Sequence, residues 1–355
     1  MNLIDILKDA VLKEASDVFL VAGRPSAYNI NGKIVNADEK TLLTDDCQLL
    51  ITEIYKLALD RDIKVLKEIG NDDFSFTVKG LSRFRVSAYI QRGSYAAVIR
   101  VISFQMPNWQ EINVPKEVMD LAEVKKGLVL VTGTAGSGKS TTLACIIDRI
   151  NKTETKHIIT LEDPIEYLHS HKKSIVSQRE IGSDTTDYLT ALKSSLRQHP
   201  DVILLGEMRD IETISIALTT AETGHTIYST LHTLGASKTI DRIVDVFPAQ
   251  QRQQIAIQLS MLLEAVVSQQ LLPTIDGKLI LATEVMRVTP AIRNLIREGK
   301  IHQIDNVINS SQDSNMISMD ARILSLYKSN IISQETAIMY STNVELMQKR
   351  IASIN

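Results

Sequence analysis

Apolar residues recur at helical spacing through Leu3, Leu7, Ala10 and Val11, which predicts an amphipathic helix over residues 3–15. The period then changes. ASDVFLVAG alternates as a strand does and stops at Gly23-Arg24-Pro25, and NINGKIV holds an Asn-Gly turn between extended stretches. Residues 44–69 read as helical, with Thr44 or Asp45 as the N-cap. DFSFTVK, SRFRVSAYIQ and SYAAVIRVIS are separated by short turns at Gly80 and Gly93, so they predict neighbouring antiparallel strands. Residues 1–103 are thus expected to form an α+β domain. Residues 104–115, FQMPNWQEINVP, carry Pro107 and Pro115 and no period, and read as a linker with Trp109 as a packing anchor.

From residue 116 to 355 the pattern is of another kind. LVLVT, HIITL, VILLG and HTIYST are short apolar runs set between helical segments. Such runs suit a mostly parallel sheet buried on both faces, so the second domain and the chain as a whole are assigned to the α/β class. Residues 249–269 predict one long helix with a glutamine-rich face, and the tail from 290 reads as several helices. No internal repeat or low-complexity segment interrupts the pattern.

Composition narrows the classes. The 355 residues allow about two domains. A net charge of −3 gives no basic field of the kind that nucleic acid requires. The two cysteines, Cys47 and Cys145, are far apart in sequence, which argues against a disulfide framework or a zinc site and for a reducing cytoplasm. Cys145 reads as a small core residue. The first residues, MNLIDILKDAVLKEA, hold acidic side chains and lack a signal-peptide core. No run of 18 apolar residues occurs, so membrane contact is expected to be peripheral.

One stretch carries specific chemistry. Gly133-Thr134-Ala135-Gly136-Ser137-Gly138-Lys139-Ser140 fits G-x-x-x-x-G-K-[ST] and is followed by Thr141. It lies between an expected strand at 128–132 and an expected helix at 139–150. The glycines let the backbone curl its N–H groups toward phosphate oxygens, and the helix N-terminus adds partial positive charge. Lys139 can reach β- and γ-phosphates and the Ser140 hydroxyl can ligate Mg²⁺. VILLGEMRD ends an apolar strand in Glu207, placed to polarise a water or help hold Mg²⁺. ITLEDPIEYLH packs Glu162, Asp163 and Glu166 around Pro164, and three acids so close repel one another unless a cation sits nearby. TGHTIYSTLHT puts His225 and His232 at the two ends of one strand, about 23 Å apart at ~3.3 Å per residue, too far to share a metal. Either histidine could meet a γ-phosphate. Arg83 and Arg85 face one side of their strand, either toward phosphate across a domain or subunit boundary or into solvent, and Arg100 is a weaker case of the same kind.

In combination, GTAGSGKST, ITLEDPIEYLH, DVILLGEMRD and TGHTIYSTLHT resemble the Walker A, Asp box, Walker B and His box of the secretion-superfamily ATPases. SRFRVSAYIQRGSYAAVIRVIS, LHTLGASKTIDRIVDVFPAQQRQQIAIQLS and AIRNLIREGKIHQI are similar to its type IV pilus retraction members, so the resemblance covers nearly the whole chain. It implies a PAS-like N-terminal domain, a RecA-like ATPase domain, a homo-hexameric ring and ATP bound between domains. Hydrolysis would turn domain rotation into extraction of pilin. By resemblance, Gly133 to Thr141 hold ATP, Glu207 is the catalytic glutamate, and Ser140, Glu162 and Glu207 surround Mg²⁺. His225 and His232 become γ-phosphate sensors or interface residues, and Arg83, Arg85 and Arg100 supply phosphate contacts from the N-terminal domain. A cytoplasmic position at the inner face of the membrane, on an inner-membrane platform protein of the pilus machine, is also implied.

The chain departs from the family pattern at three places. Thr134-Ala135 stands where Pro-Thr is common, and Asn29 and Glu264 stand where arginines are usual. Assembly ATPases are typically longer and often carry a four-cysteine zinc motif, which favours retraction here over pilus assembly or type II secretion. A non-hydrolysing nucleotide-binding regulator of a retraction ring is the remaining reading, and Glu264 is the feature that favours it.

Overall fold

The computed structural model describes residues 2–30, 32–102, 105–208, 210–311, 313 and 315–354. The chain divides into two compact units, Met1–Gln105 with Ile165–Leu168, and Met106–Pro164 with His169–Asn355. The Asn-Gly turn expected at residue 31 and the linker start expected at residue 104 fall on residues outside the described set.

The first unit is built on a six-stranded antiparallel sheet. Its strands are β1 (Asp17–Leu20), β2 (Pro25–Ile30), β3 (Lys33–Thr41), β4 (Asn71–Val78), β5 (Ser82–Gln91) and β6 (Ser94–Ile102), in the order β3-β2-β1-β6-β5-β4. The β5–β6 turn is Arg92-Gly93, both at positive φ (49° and 77°), as a tight two-residue hairpin requires. One face of the sheet packs on the helices Leu3–Leu12 and Thr44–Leu57 through Leu3, Ile6, Leu7, Ile51, Ile54, Phe84 and Val86. The helix expected over 44–69 is two helices, Thr44–Leu57 and Lys64–Ile69. The break follows from left-handed backbone at Leu59 and Asp60 (φ 57° and 56°), which no α-helix accommodates. Its N-cap is Leu43 rather than Thr44 or Asp45, with the Leu43 N–H donating to Asp46 Oδ2 at 2.9 Å.

The second unit is a seven-stranded sheet between helices. Its strands are β7 (Gly127–Thr132), β8 (His157–Glu162), β9 (Ile175–Glu180), β10 (Val202–Leu205), β11 (Thr226–Leu231), β12 (Leu263–Pro273) and β13 (Leu279–Arg287). They run in the order β13-β12-β7-β11-β10-β8-β9, all parallel except β13. The apolar runs are continuous because both faces are buried. Leu128, Leu130, Ile203, Leu205 and Ile227 enter one core, and Val129, Val131, Val202, Leu204 and Tyr228 enter the other. Cys145 and Trp109 join the second of these cores, Trp109 only partly buried.

The long helix expected over 249–269 ends at Leu262, and Leu263 begins β12. Tertiary pairing overrides the local helical pattern here: Ala265, Val266 and Val267 pair with β7 on one side and with β13 on the other. Arg293 closes the helix end, donating to the Ser260 and Met261 carbonyls at 2.7 and 2.9 Å and to Glu264 Oε1 at 2.8 Å. Glu264 is therefore neutralised inside the unit, and its reversed charge has a partner.

Candidate functional site

The loop Gly133–Gly138 joins β7 to the helix Lys139–Thr153. Gly133, Gly136 and Gly138 all have positive φ (148°, 77° and 85°). At Gly133 the requirement is also spatial, because a Cβ there would stand 2.4 Å from the Gln269 carbonyl oxygen and 2.5 Å from Ser137 Oγ. Lys139 is buried, and its Nζ donates to the Gly133 and Thr134 carbonyls at 2.9 Å each, so the ammonium is folded over the loop. Ser140 is exposed on the first turn of the helix.

Parallel pairing brings the carboxyl ends of β7, β11, β10 and β8 to one edge of the sheet, where open α/β sheets bind ligands. Glu207 follows β10, two strands from the P-loop strand, about 10 Å away at ordinary strand spacing. His232 follows β11, between them, and its Nε2 lies 3.6 Å from Glu207 Oε2. The Glu207 side chain is 12% exposed and that of His232 58%, so a shielded carboxylate faces an open imidazole. Glu162 ends β8, one strand further on. Its Oε1 accepts from Thr160 Oγ1 at 2.6 Å and from Gln178 Nε2 at 3.3 Å. Gln178 Oε1 in turn accepts from the His169 N–H at 2.7 Å. Burial pulls the His169 imidazole down to about 4, so it is neutral beside this network at pH 7.

Other expected residues lie elsewhere. His225 precedes β11 at the opposite edge, where its Nδ1 is 3.0 Å from both the Thr223 hydroxyl and the Thr220 carbonyl. The straight strand between the two histidines keeps His225 away from the P-loop of its own chain. Asp163 and Glu166 are exposed and do not close a three-acid cluster with Glu162. Among the described residues no group of three His, Cys, Asp or Glu side chains is placed to hold a metal. In the first unit Arg85 and Arg100 are directly opposite across β5 and β6, and Arg83 lies on the same face. Two like charges so paired repel. Asp17, opposite Arg100 on β1, offsets this: Arg100 Nε donates to Asp17 Oδ1 at 3.2 Å. Asn29 is next in that row, its Nδ2 3.3 Å from Asp17 Oδ2.

Several residues of the site have no signal in the motifs. Thr160, two residues back on the same strand, and Gln178, on neighbouring β9, orient Glu162. Ser268 and Gln269 of β12 hold two loops, with Ser268 Oγ accepting from Gly235 N–H at 2.9 Å and Gln269 Nε2 donating to the Ser137 carbonyl at 2.7 Å. Both lie in the stretch 249–269, whose local pattern is helical although β12 begins at Leu263. The Val-Val pair followed by polar residues in VVSQQLL was the available cue for a strand.

Comparison with known proteins agrees with this architecture. The family model described as Type II/IV secretion system protein matches residues 2–343. The type IV pilus retraction ATPase PilT of Pseudomonas aeruginosa is 43% identical over 337 residues, 95% of this chain and 97% of that protein. A twitching motility protein of Neisseria gonorrhoeae is 41% identical over 347 residues, covering 98% and 92%. The crystal structure of the pilus retraction motor PilT with bound ADP superposes with a TM-score of 0.89 at 43% identity, over 98% of this chain and 99% of that one. With a P-loop, an acidic strand end and a histidine-flanked strand on one mostly parallel sheet, and a family match along nearly its whole length, this chain belongs to the type II/IV secretion system protein family.

Proposed function

We propose that this chain is an ATP-hydrolysing motor that powers retraction of a type IV pilus. The observation that carries the reading is the convergence of the P-loop, Glu207, His232 and the Thr160-held Glu162 at one edge of a single sheet. The names of the relatives and the ADP in the similar structure support both the ligand and the task. Phosphates take the N–H groups of Gly133 to Ser140, and Lys139 exchanges its two carbonyl partners for β- and γ-oxygens. Ser140, exposed on the first helical turn, would hold Mg²⁺, with nucleotide oxygens and water completing the shell, in keeping with the lack of an all-protein site among the described residues. Bound there, the ion would neutralise charge on the β- and γ-oxygens.

Glu207 orients the attacking water and His232 holds Glu207 and reads the γ-phosphate. Glu162, fixed by two hydrogen bonds, adds negative charge for the cation side of the site. Arg83, Arg85 and Arg100, on one face of β5 and β6, would supply positive charge to a nucleotide held by a neighbouring subunit of the ring. The chain works as a homo-hexamer on a membrane platform protein, and no helix among its described residues is long and apolar enough to cross a membrane. Glu207→Gln keeps shape and removes the carboxylate, so ADP binding is expected unchanged and kcat lower by about 10²–10⁴-fold. Normal turnover in that variant removes Glu207 from the mechanism. Deleting the gene separates the directions of work: hyperpiliated, non-twitching cells indicate retraction, and bald cells indicate assembly.

A further inference from the structure

Gln269 stands where β12 passes the P-loop. It is fully buried. Nε2 donates to the Ser137 carbonyl at 2.7 Å, while Oε1 is buried without a hydrogen-bond partner. The residue is wedged between the first and last glycines of the loop: a Cβ at Gly133 would meet its carbonyl oxygen at 2.4 Å, and one at Gly138 its Nε2 at 3.4 Å. Packing alone does not call for an amide here. Methionine fills the same volume without burying an unpaired oxygen, which is costly. The amide donor of Gln269 is directed to one carbonyl of the phosphate loop.

Peptide geometry carries that contact to the ligand. The cis bond among the described residues is Asp163–Pro164, so the Ser137–Gly138 peptide is trans and its C=O and N–H point in opposite directions. Tying the carbonyl to β12 aims the Gly138 N–H away from β12, toward the side where the loop's successive N–H groups meet phosphate. We propose that Gln269 is a positioning residue for phosphate binding, fixing the Ser137–Gly138 peptide so that the Gly138 N–H donates to the nucleotide. This inference rests on the nucleotide-binding reading of the P-loop. The N–H meets phosphate in the ground state and the transition state alike, so its loss raises Kd and KM more than it lowers kcat.

The experiment is ADP titration with a fluorescent analogue, and steady-state ATPase kinetics, on the full-length protein. For Gln269→Met, Kd for ADP and KM for ATP are expected to rise about tenfold, about 1.4 kcal/mol, with kcat within about twofold. The thermal midpoint without nucleotide should change little, because the variant removes one unpaired buried oxygen but leaves the Ser137 carbonyl without its donor. A folded Gln269→Met protein whose ADP affinity is within twofold of wild type overturns the proposal. Gln269→Leu is the second variant: it removes the donor with a different apolar side chain that cannot hydrogen-bond the Ser137 carbonyl, and a comparable loss of ADP affinity is expected. Unchanged ADP affinity in a folded Gln269→Leu protein overturns the proposal even if the methionine protein does not accumulate. Wild-type protein is titrated first, and failure of ADP to bind it would refute the nucleotide reading rather than the part assigned to Gln269.

Discussion

Gly133→Ala tests the claim that the phosphate loop is shaped by contact with β12. The added Cβ would lie 2.4 Å from the Gln269 carbonyl oxygen and 2.5 Å from Ser137 Oγ, at a φ of 148° that side-chain-bearing residues rarely adopt. The serine hydroxyl can rotate away. The carbonyl cannot, because Gln269 is fully buried in a strand paired with β13. A carbon–oxygen contact needs about 3.2 Å, so the loop must retreat by about 0.8 Å. Overpacking costs ~1–3 kcal/mol and the disfavoured backbone ~1–3 kcal/mol, together ~2–6 kcal/mol. Thr134, Ala135 and Gly136 are exposed, so the loop relieves the clash by moving outward and misdirects its N–H groups. A loss of at least ~2 kcal/mol in ADP binding, about 30-fold, is expected. Gly136→Ala is the control: its φ is 77° and nothing lies within 4 Å of the new Cβ, so ~1 kcal/mol and about fivefold are expected. Isothermal titration with ADP measures both, and circular dichroism melts confirm folding. Binding by Gly133→Ala within threefold of wild type, or a larger loss in Gly136→Ala, refutes the reasoning.

Three further outcomes are expected. Thr160→Val preserves shape at a fully buried position but removes the 2.6 Å hydrogen bond to Glu162, so kcat should fall about five- to tenfold with the melting temperature little changed; an unaltered kcat shows that Glu162 needs no such restraint. His169 titrates near 4 in the fold against 6.5 unfolded, chiefly through burial, with Asp148 opposing the shift and Lys172 adding to it. The unfolded chain therefore binds more protons between those values, and stability present above pH 6.5 is lost as the pH falls toward 4, by ~2–3 kcal/mol; His169→Gln should flatten that slope in urea titrations, and parallel slopes would disprove the link. Cys47 and Cys145 are buried thiols whose pKa burial raises, that of Cys145 to about 11, so a thiol reagent at pH 8 should label neither in the folded protein and both in denaturant.

The legible part of the fold was local. The glycine-lysine loop, the apolar strands and the Gly80 and Gly93 turns are short-range patterns whose physics is contained in a few neighbouring residues. Glu207, Glu162 and His232 were legible as strand-end residues, and the structure groups them because their strands are parallel neighbours. His225 carried the same sequence signal as His232, and only strand direction separates them. β12 was hidden because its helix-like glutamines and leucines adjoin a true helix, and pairing with β7 and β13 decides where that helix ends.

By itself the sequence determined the chemistry on offer: backbone N–H groups for phosphate, one lysine, one hydroxyl, two carboxylates and an imidazole. Tertiary structure alone decided which of these meet, since strand order is a long-range property that no local period encodes. It also decided how they are held. Gln269 and Gln178 are ordinary polar residues in sequence, and they become parts of a site because the sheet sets them beside the P-loop and Glu162. Glu264 likewise reads as an anomaly in sequence and is resolved in space by Arg293, 29 residues away along the chain and 2.8 Å away across the fold.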